Sequence, residues 1–172
     1  MKIVFIIGGA RSGKSRYSVE LAKASAQKVV FLATCIFRDA EMDERVRRHQ
    51  QSRPSSWEVI NEGKDIAAAL AGAQHADTTV LIDCLGMWVF NMMEEHANDE
   101  PIEAAFENFV QALGSVQGLV IIVSNETGCG LVPEHASGRR FRDLIGRLNQ
   151  MTARAADEVV MMQVGIPIKI KS

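Results

Sequence analysis

The chain has 172 residues, of which 47% are hydrophobic and 23% charged, and its formal net charge at pH 7 is −2. This length suits a single domain, residues 1–172, that buries its core without disulfides or a structural metal. The small net charge argues against bulk electrostatic binding of nucleic acid or an anionic membrane. Because no apolar stretch could cross a bilayer and a strand-like segment begins almost at once, we expect a cytoplasmic protein without a membrane span.

Strand-like and helix-like segments alternate along the chain, which predicts an α/β fold with a mainly parallel sheet flanked by helices. The predicted strands cover residues 2–7, 29–34, 79–84, 118–124, 158–164 and 168–171, with a weaker candidate at 57–60. The predicted helices cover residues 14–25, 41–51, 64–73, 85–95, 102–113 and 139–155. The turn at residues 165–167 predicts that the last two strands form an antiparallel hairpin at the sheet edge.

The first strand and helix enclose a segment that fits the phosphate-loop pattern G-x-x-x-x-G-K-[ST]. Its eight residues are Gly8, Gly9, Ala10, Arg11, Ser12, Gly13, Lys14 and Ser15. Such a loop turns backbone N–H groups toward phosphate oxygens, and the helix that follows adds its positive N-terminal end. We therefore predict that all eight residues bind a nucleoside triphosphate, that Lys14 reaches its terminal phosphates, and that the Ser15 hydroxyl binds Mg²⁺.

The charged segment at residues 41–53 contains a candidate nucleophile. On a helix, Arg45 and His49 are four residues apart and share a face, while Arg53 follows just before Pro54, where the helix must end. Neighbouring positive charge disfavours protonation, so we expect His49 to be a neutral imidazole that can attack phosphorus. The alternative, that this face is simply solvated, stays open from residue types alone.

A second nucleotide element is predicted where the apolar run at residues 80–82 ends in Asp83. A carboxylate at the end of a strand beside a phosphate loop can hold Mg²⁺ or its waters, although it could instead cap the next helix. Further along, Asn125 and Glu126 follow another strand, and the glycine-containing loop after them fits either ligand contact or a structural turn. Asp143 and Arg147 are spaced for an i,i+4 ion pair on a solvated or subunit-facing helix.

Several blocks along the chain resemble one known family. After the phosphate loop come Ala33-Thr34, Arg45-Val46-x-x-His49, Arg53-Pro54-x-x-Trp57, and the blocks at residues 81–85, 124–133, 141–150, 156–159 and 165–169. In order and spacing they are similar to the bifunctional adenosylcobinamide kinase/adenosylcobinamide-phosphate guanylyltransferases of cobalamin biosynthesis, over essentially the whole chain. With the phosphate loop, this predicts a P-loop NTPase fold of the RecA-like type.

The resemblance implies two reactions and a set of contacts. ATP or GTP would phosphorylate adenosylcobinamide, and GMP would then pass from GTP to adenosylcobinamide phosphate through a guanylylated His49. It also implies a homotrimer with its active site near a subunit boundary. Besides the phosphate loop, the implied nucleotide contacts are Ala33, Thr34, Cys35, Gln50, Gln51, Ser52, Arg53, Asn61 and Asp83.

The chain departs from the family at two positions. Asn61 stands where the family usually has glutamate, with Glu62 next to it, and Gly86 stands where the family usually has threonine. An amide can hydrogen-bond a base or ribose but lacks the carboxylate charge, which puts nucleotide preference in question. Two alternatives to the bifunctional enzyme are a simple P-loop kinase of small molecules, which would not use His49, and a nucleotide-switched binding protein.

Overall fold

A computed structural model describes residues 2–25, 27–36 and 53–172. Within these ranges the chain forms seven strands and five helices. The strands are β1 (Lys2–Gly8), β2 (Lys28–Ala33), β3 (Glu58–Asn61), β4 (Thr78–Asp83), β5 (Leu119–Asn125), β6 (Glu158–Gln163) and β7 (Ile166–Lys171). The helices are α1 (Lys14–Ala24), α2 (Ile66–Ala73), α3 (Leu85–Glu95), α4 (Glu100–Leu113) and α5 (Ala136–Ala155).

The strands form one sheet in the order β3-β2-β4-β5-β1-β6-β7. The first six are parallel to their neighbours, and β7 pairs antiparallel with β6. The predicted α/β sheet and edge hairpin are therefore confirmed. The predicted turn was misplaced, because the two-residue turn is Val164-Gly165 and β7 already begins at Ile166. The predicted helix at residues 41–51 lies outside the described residues.

Successive strand residues point to opposite faces of the sheet and pack into two hydrophobic layers, as expected for a sheet that is covered on both faces. On β1, Ile3, Phe5 and Ile7 pack into the larger layer with α2, α3, α4 and α5. Val4 and Ile6 point to the other face, where they pack with α1. This arrangement fixes the sheet from both sides and leaves the strand ends to carry the polar chemistry.

Two side chains show how the helices pack against one another. Trp88 is buried against Phe106 and Phe109, and its indole N–H donates to the Lys64 carbonyl oxygen at 2.7 Å, so it is a core residue. Arg147 forms its ion pair with Glu103 on the neighbouring α4, where the sequence spacing had predicted Asp143. Over the described ranges, none of the helices combines the length and the hydropathy that crossing a membrane requires.

Candidate active site

Predicted ligand-binding residues from five strands of the described part of the chain lie at one edge of the sheet. Gly8, Ala33, Asn61, Asp83 and Asn125 are the last residues of β1, β2, β3, β4 and β5. Because these strands are parallel, their carboxyl ends meet at the same edge, where open α/β sheets bind ligands. The topology therefore brings together segments that are up to 117 residues apart in the chain.

The phosphate loop turns sharply between β1 and α1. Gly13 adopts φ 97° immediately before the helix, and Arg11 adopts φ 54° although it has a side chain. The Ser12 N–H donates to the Gly9 carbonyl oxygen at 3.3 Å, and the Tyr17 N–H donates to Gly13 at 3.0 Å as α1 begins. This is the strand–loop–helix geometry that presents backbone N–H groups and a helix N-terminus to an anion.

The loop is supported from behind by the β6–β7 hairpin. The Gly165 N–H donates to the Ser12 carbonyl oxygen at 3.0 Å, which holds that peptide unit from outside the loop. At Gly8, a Cβ atom would lie 2.5 Å from the Met162 carbonyl oxygen and 2.8 Å from Ser12 Oγ, so only glycine fits. No local sequence pattern predicts this support, because the hairpin is about 150 residues further along the chain.

Lys14 occupies a buried position at the start of α1. Its Nζ donates to the Gly9 carbonyl oxygen at 2.7 Å, and 8% of the residue is exposed. Burial lowers the pKa of Lys14, and the charge of the Asp83 carboxylate opposes that shift in part. The ammonium is thus held inside the loop beside the end of β4, with little water around it.

The Asp83 carboxylate acts electrostatically on two cationic side chains, one in the phosphate loop and one near β2. Its charge acts on Lys14 and also on Arg53, whose guanidinium lies 3.9 Å above the centre of the Phe31 ring. Burial lowers the pKa of Arg53, and Asp83 counters that effect. Next in the chain, burial and the neighbouring Asp83 charge raise the pKa of the Cys84 thiol to about 12, so this thiol is protonated at neutral pH.

The ends of β2, β3 and β4 are tied together by side-chain hydrogen bonds; we call this the three-strand junction, comprising Thr34, Gly63, Cys84 and Asn91. The Thr34 hydroxyl donates to the Cys84 carbonyl oxygen at 2.7 Å and accepts from the Cys84 N–H at 2.9 Å. Asn91 on α3 donates to the carbonyl oxygens of Thr34 and Gly63. Sequence reasoning missed Asn91, which reads as one more helix residue among methionines.

Both family departures have a clear local setting. Asn61 is exposed at the end of β3, in register with Ala33. Glu62 takes part in a local turn, since its Oε1 accepts from the N–H groups of Lys64 and Asp65 just before α2. At Gly86, a Cβ would lie 3.0 Å from Asn125 Nδ2, so a larger residue would require this amide to move.

The loop after β5 is built as a structural turn. The Glu126 N–H donates to the Gly8 carbonyl oxygen at 2.9 Å, and its carboxylate accepts from the N–H groups of Gly128 and Cys129. Arg142 donates to the Gly128 carbonyl oxygen at 2.6 Å. Of the two alternatives that the sequence left open for Glu126, these contacts favour the turn.

The remaining predicted residues are distributed as follows. Ala10 and Arg11 are exposed at the tip of the phosphate loop, and Ser15 is half-buried in the first turn of α1. Cys35 follows Thr34 beyond the end of β2 and is half-buried. The proposed nucleophile and three predicted contacts lie outside the described residues: His49, Gln50, Gln51 and Ser52.

Solved structures with the same architecture are ATPases and a recombinase. A prototypical ATPase from the type III secretion system of pathogenic bacteria superposes with a TM-score of 0.57 at 10% identity, covering 98% of this chain and 56% of that chain. The RadB recombinase superposes with a TM-score of 0.53 at 13% identity, covering 93% of this chain and 73% of that chain. These matches confirm the predicted P-loop NTPase fold.

Sequence relatives agree along nearly the whole chain. The chain is 37% identical over 168 residues to the bifunctional adenosylcobalamin biosynthesis protein CobP of Pseudomonas aeruginosa, covering 96% of this chain and 95% of that protein. It is 35% identical over 181 residues to the bifunctional adenosylcobalamin biosynthesis protein CobU of Escherichia coli, covering 98% and 99%. A profile described as cobinamide kinase / cobinamide phosphate guanyltransferase matches residues 4–170, so the chain belongs to that family.

Proposed function

We propose that this chain catalyses two steps of cobalamin biosynthesis. It phosphorylates adenosylcobinamide with ATP or GTP, and it transfers GMP from GTP to adenosylcobinamide phosphate. The observation that carries the proposal is a buried Lys14 in a phosphate loop, within the field of Asp83, in a chain that belongs to the cobinamide kinase / cobinamide phosphate guanyltransferase family. Both steps are in-line displacements at phosphorus, for which positioning and charge neutralisation dominate catalysis.

In the kinase step, the substrate hydroxyl oxygen attacks the γ-phosphorus. A new P–O bond forms, the bond to the β-phosphate oxygen breaks, the nucleoside diphosphate leaves, and the hydroxyl proton is released to water. Lys14 and the loop N–H groups stabilise the negative charge that spreads over the transferred group. The contact between Lys14 and the Gly9 carbonyl oxygen keeps the ammonium aimed into the loop before nucleotide binds.

In the transfer step, His49 attacks the α-phosphorus of GTP and pyrophosphate leaves. The phosphate oxygen of adenosylcobinamide phosphate then attacks the same phosphorus, forms a phosphoanhydride bond and frees His49. The covalent route divides one difficult exchange into two displacements, each with an imidazole as nucleophile or leaving group. The support for His49 is the matching motif within the family.

Mg²⁺ fits the donor set at the end of β4. Across the part of the chain that the structure describes, no three His, Cys, Asp or Glu side chains come together as a metal site. Mg²⁺ needs none here, because it keeps several waters and binds one or two protein ligands together with substrate phosphates. The Asp83 carboxylate and the Ser15 hydroxyl would hold it, and when bound it would neutralise phosphate charge.

The remaining predicted contacts divide between phosphates and nucleoside. Residues 8–15 would bind the phosphates, whereas Ala33, Thr34, Cys35, Gln50, Gln51, Ser52, Arg53 and Asn61 would contact the rest of the nucleotide. Asn61 offers an amide where the family usually has glutamate, so it can donate to as well as accept from a base. We also propose a homotrimer with the active site near a subunit boundary, acting in the cytoplasm without nucleic acid.

Labelled GTP tests the transfer step. With the label on the α-phosphate, the protein should become labelled by a bond that is acid-labile and alkali-stable, as a phosphoramidate is. His49→Ala should abolish the label, and His75→Ala, which alters an exposed histidine before β4, should leave it unchanged. If wild type acquires no α-label, the assignment of His49 is wrong.

Label on the γ-phosphate separates the alternatives. Transfer of γ-label to cobinamide without any α-label on the protein would identify a simple P-loop kinase. Slow release of labelled phosphate to water, with no transfer to cobinamide, would identify a nucleotide-switched binding protein. The bifunctional enzyme should give both γ-transfer and the α-labelled protein.

Magnesium titration tests Asp83. Asp83→Asn removes one charged ligand, and we expect the Mg²⁺ concentration for half-maximal activity to rise by about tenfold, with a lower plateau. Asp77→Asn is the matched control, because Asp77 is exposed next to the opposite end of the same strand. Equal Mg²⁺ dependence in both variants would exclude Asp83 as a metal ligand.

A further inference from the structure

Asn91 is a buried amide that touches two strand ends at once. It lies on α3 and is 4% exposed. Its Nδ2 donates to the Thr34 carbonyl oxygen at 2.7 Å and to the Gly63 carbonyl oxygen at 3.0 Å. Thr34 directly follows β2, and Gly63 belongs to the turn after β3, so the Asn91 side chain links both segments by hydrogen bonds.

The orientation of this amide is fixed by its partners. Both contacts are carbonyl oxygens, which can only accept, so the NH₂ group must face them and Oδ1 must point away. Oδ1 is buried and has no hydrogen-bond donor among the described residues. The buried, unsatisfied Oδ1 lowers the stability of the fold, so the contribution of this side chain comes from the two hydrogen bonds that its Nδ2 donates.

Gly63 shows how closely the junction is packed. A Cβ on Gly63 would lie 2.5 Å from Asn91 Nδ2 and 2.6 Å from the Thr34 carbonyl oxygen. Real Cβ atoms do not approach other atoms so closely, so the turn after β3 can reach Asn91 only with glycine at this position. Two independent features, a glycine and a buried amide, thus build the same contact.

Thr34 and Gly63, the two residues that accept from Asn91, lie too far along the sheet to act on the phosphates directly. From β1 to β2 the order requires three strand steps, about 14 Å at the usual spacing of about 4.8 Å. Residues at the β2 and β3 ends therefore face the nucleoside part of a nucleotide whose phosphates lie in the loop after β1. Fixing these ends sets the separation between the two halves of the site.

We propose that Asn91 is a positioning residue for the nucleoside part of the site. By holding Thr34 and Gly63 together, it positions Cys35, which follows Thr34, and Asn61, which is two residues before Gly63, where they can contact the nucleoside. Asn91 itself touches no reacting atom. The inference rests on the proposed function, since it assumes that guanine nucleotide binds along this edge.

The test compares two ligands that differ only by the nucleoside. GDP and inorganic pyrophosphate share the diphosphate group, and calorimetry gives the affinity of the full chain for each in the presence of Mg²⁺. In Asn91→Leu, which keeps the branched shape and removes both donated hydrogen bonds, we expect GDP affinity to fall by about tenfold and pyrophosphate affinity to stay within about twofold. Leu113→Ala is the destabilised control, because Leu113 is a buried core residue at the end of α4 and forms no part of the junction.

The test is decided by whether the variant loses affinity for GDP but not for pyrophosphate; we call this difference the split. Equal affinities in wild type and Asn91→Leu, or equal losses for both ligands, would overturn the inference. If Asn91→Leu does not fold, Gly63→Ala strains the same contact from the other side and must show the same split, and its absence would overturn the inference. If wild type binds pyrophosphate but not GDP, the proposed function fails and the positioning role falls with it.

Discussion

The two ends of the candidate site are built in different ways. In the phosphate loop, Lys14 and its acceptor Gly9 are 5 residues apart in the chain. In the three-strand junction, the hydrogen bonds join residues that are 28, 50 and 57 apart: Asn91 with Gly63, Thr34 with Cys84, and Asn91 with Thr34. One end is a local motif, and the other exists only once the sheet has formed.

The two ends of the site should respond to different kinds of substitution. A local loop depends on a few backbone conformations, so a single side chain in the wrong place disrupts it. A long-range junction depends on buried polar partners, and removing one leaves others unsatisfied at a cost in stability. Substitutions at the two ends should therefore separate effects on phosphate binding from effects on nucleoside binding.

The largest expected effect is at the local end, in Lys14→Met. The variant loses the charge that stabilises the transferred phosphoryl group, so γ-phosphate transfer should fall by about 10²–10³-fold. Lys23→Met is the control, because Lys23 is exposed in the last turn of the same helix. Steady-state rates for both variants measure the effect, and a loss of less than about tenfold in Lys14→Met would argue against the role of Lys14.

The same variant should gain stability. Folding lowers the pKa of Lys14 through burial, so at neutral pH the folded chain holds a charge in an unfavourable place. This penalty is complete below the lowered pKa and disappears as the pH rises toward 10.5, the ordinary lysine value. Without nucleotide, urea unfolding should show Lys14→Met more stable than wild type at pH 7, with a difference that shrinks as the pH rises. If Lys14→Met were less stable than wild type at pH 7, the inferred destabilisation by the buried Lys14 charge would be wrong.

Two adjacent glycines offer the next test of the local end. Gly8→Ala places a Cβ 2.5 Å from the Met162 carbonyl oxygen, whereas a Cβ on Gly9 would meet nothing within 4 Å. We expect Gly8→Ala to lower the free energy of unfolding by about 3 kcal/mol and to weaken pyrophosphate binding, since overpacking shifts the backbone. Gly9→Ala should retain wild-type stability, and chemical denaturation compares the two. Equal stabilities would show that the loop is not held against β6.

At the long-range end, Thr34→Val replaces the hydroxyl with a methyl group of similar size. The Cys84 N–H then loses its partner and the Cys84 carbonyl oxygen keeps only the Trp88 N–H at 3.3 Å, so the free energy of unfolding should fall by about 2 kcal/mol. GDP should bind more weakly and pyrophosphate as before. Thr152→Val is the control, because the buried Thr152 hydroxyl has no hydrogen-bond partner among the described residues. If GDP and pyrophosphate binding weaken together, the two ends are not separable.

The smallest expected effect concerns the hairpin turn behind the phosphate loop. Val164 is exposed and adopts φ 47°, which is unfavourable for a β-branched residue, and Gly165 follows with φ 85°. In such a turn Asn-Gly is preferred, so Val164→Asn should raise the free energy of unfolding by about 1 kcal/mol without changing activity. Val132→Asn, at an exposed valine without positive φ, should not stabilise the protein. An equal increase in the free energy of unfolding in both variants would show that the positive φ of the turn is not the cause.

Sequence reasoning predicted the fold where the signal is periodic or local. The continuous apolar run at residues 3–7 predicted β1, and the phosphate loop after it predicted the first strand–helix unit. Element boundaries were shifted by one to three residues, as at Ala136, where α5 begins three residues before the predicted start. Such shifts arise because helix ends depend on capping contacts that a sequence pattern does not specify.

The pairing of Arg147 shows the limit of local spacing. The i,i+4 pattern favoured Asp143, but α4 packs beside α5 and brings Glu103 to the same arginine. A spacing rule describes one isolated helix and contains nothing about the helix next to it. The same limit hid Asn91, whose two acceptors come from the ends of two different strands.

Sequence patterns alone predicted the α/β architecture, the phosphate-loop segment from Gly8 to Ser15, an aspartate at the end of β4 and the family. These depend on periodicity and on motifs whose geometry is set by neighbouring residues. Only the tertiary structure shows that Gly165 supports Ser12 and that Asn91 joins two strand ends. Those contacts depend on strand order and sheet register, which bring distant carbonyl and N–H groups within hydrogen-bond distance only after the sheet has formed.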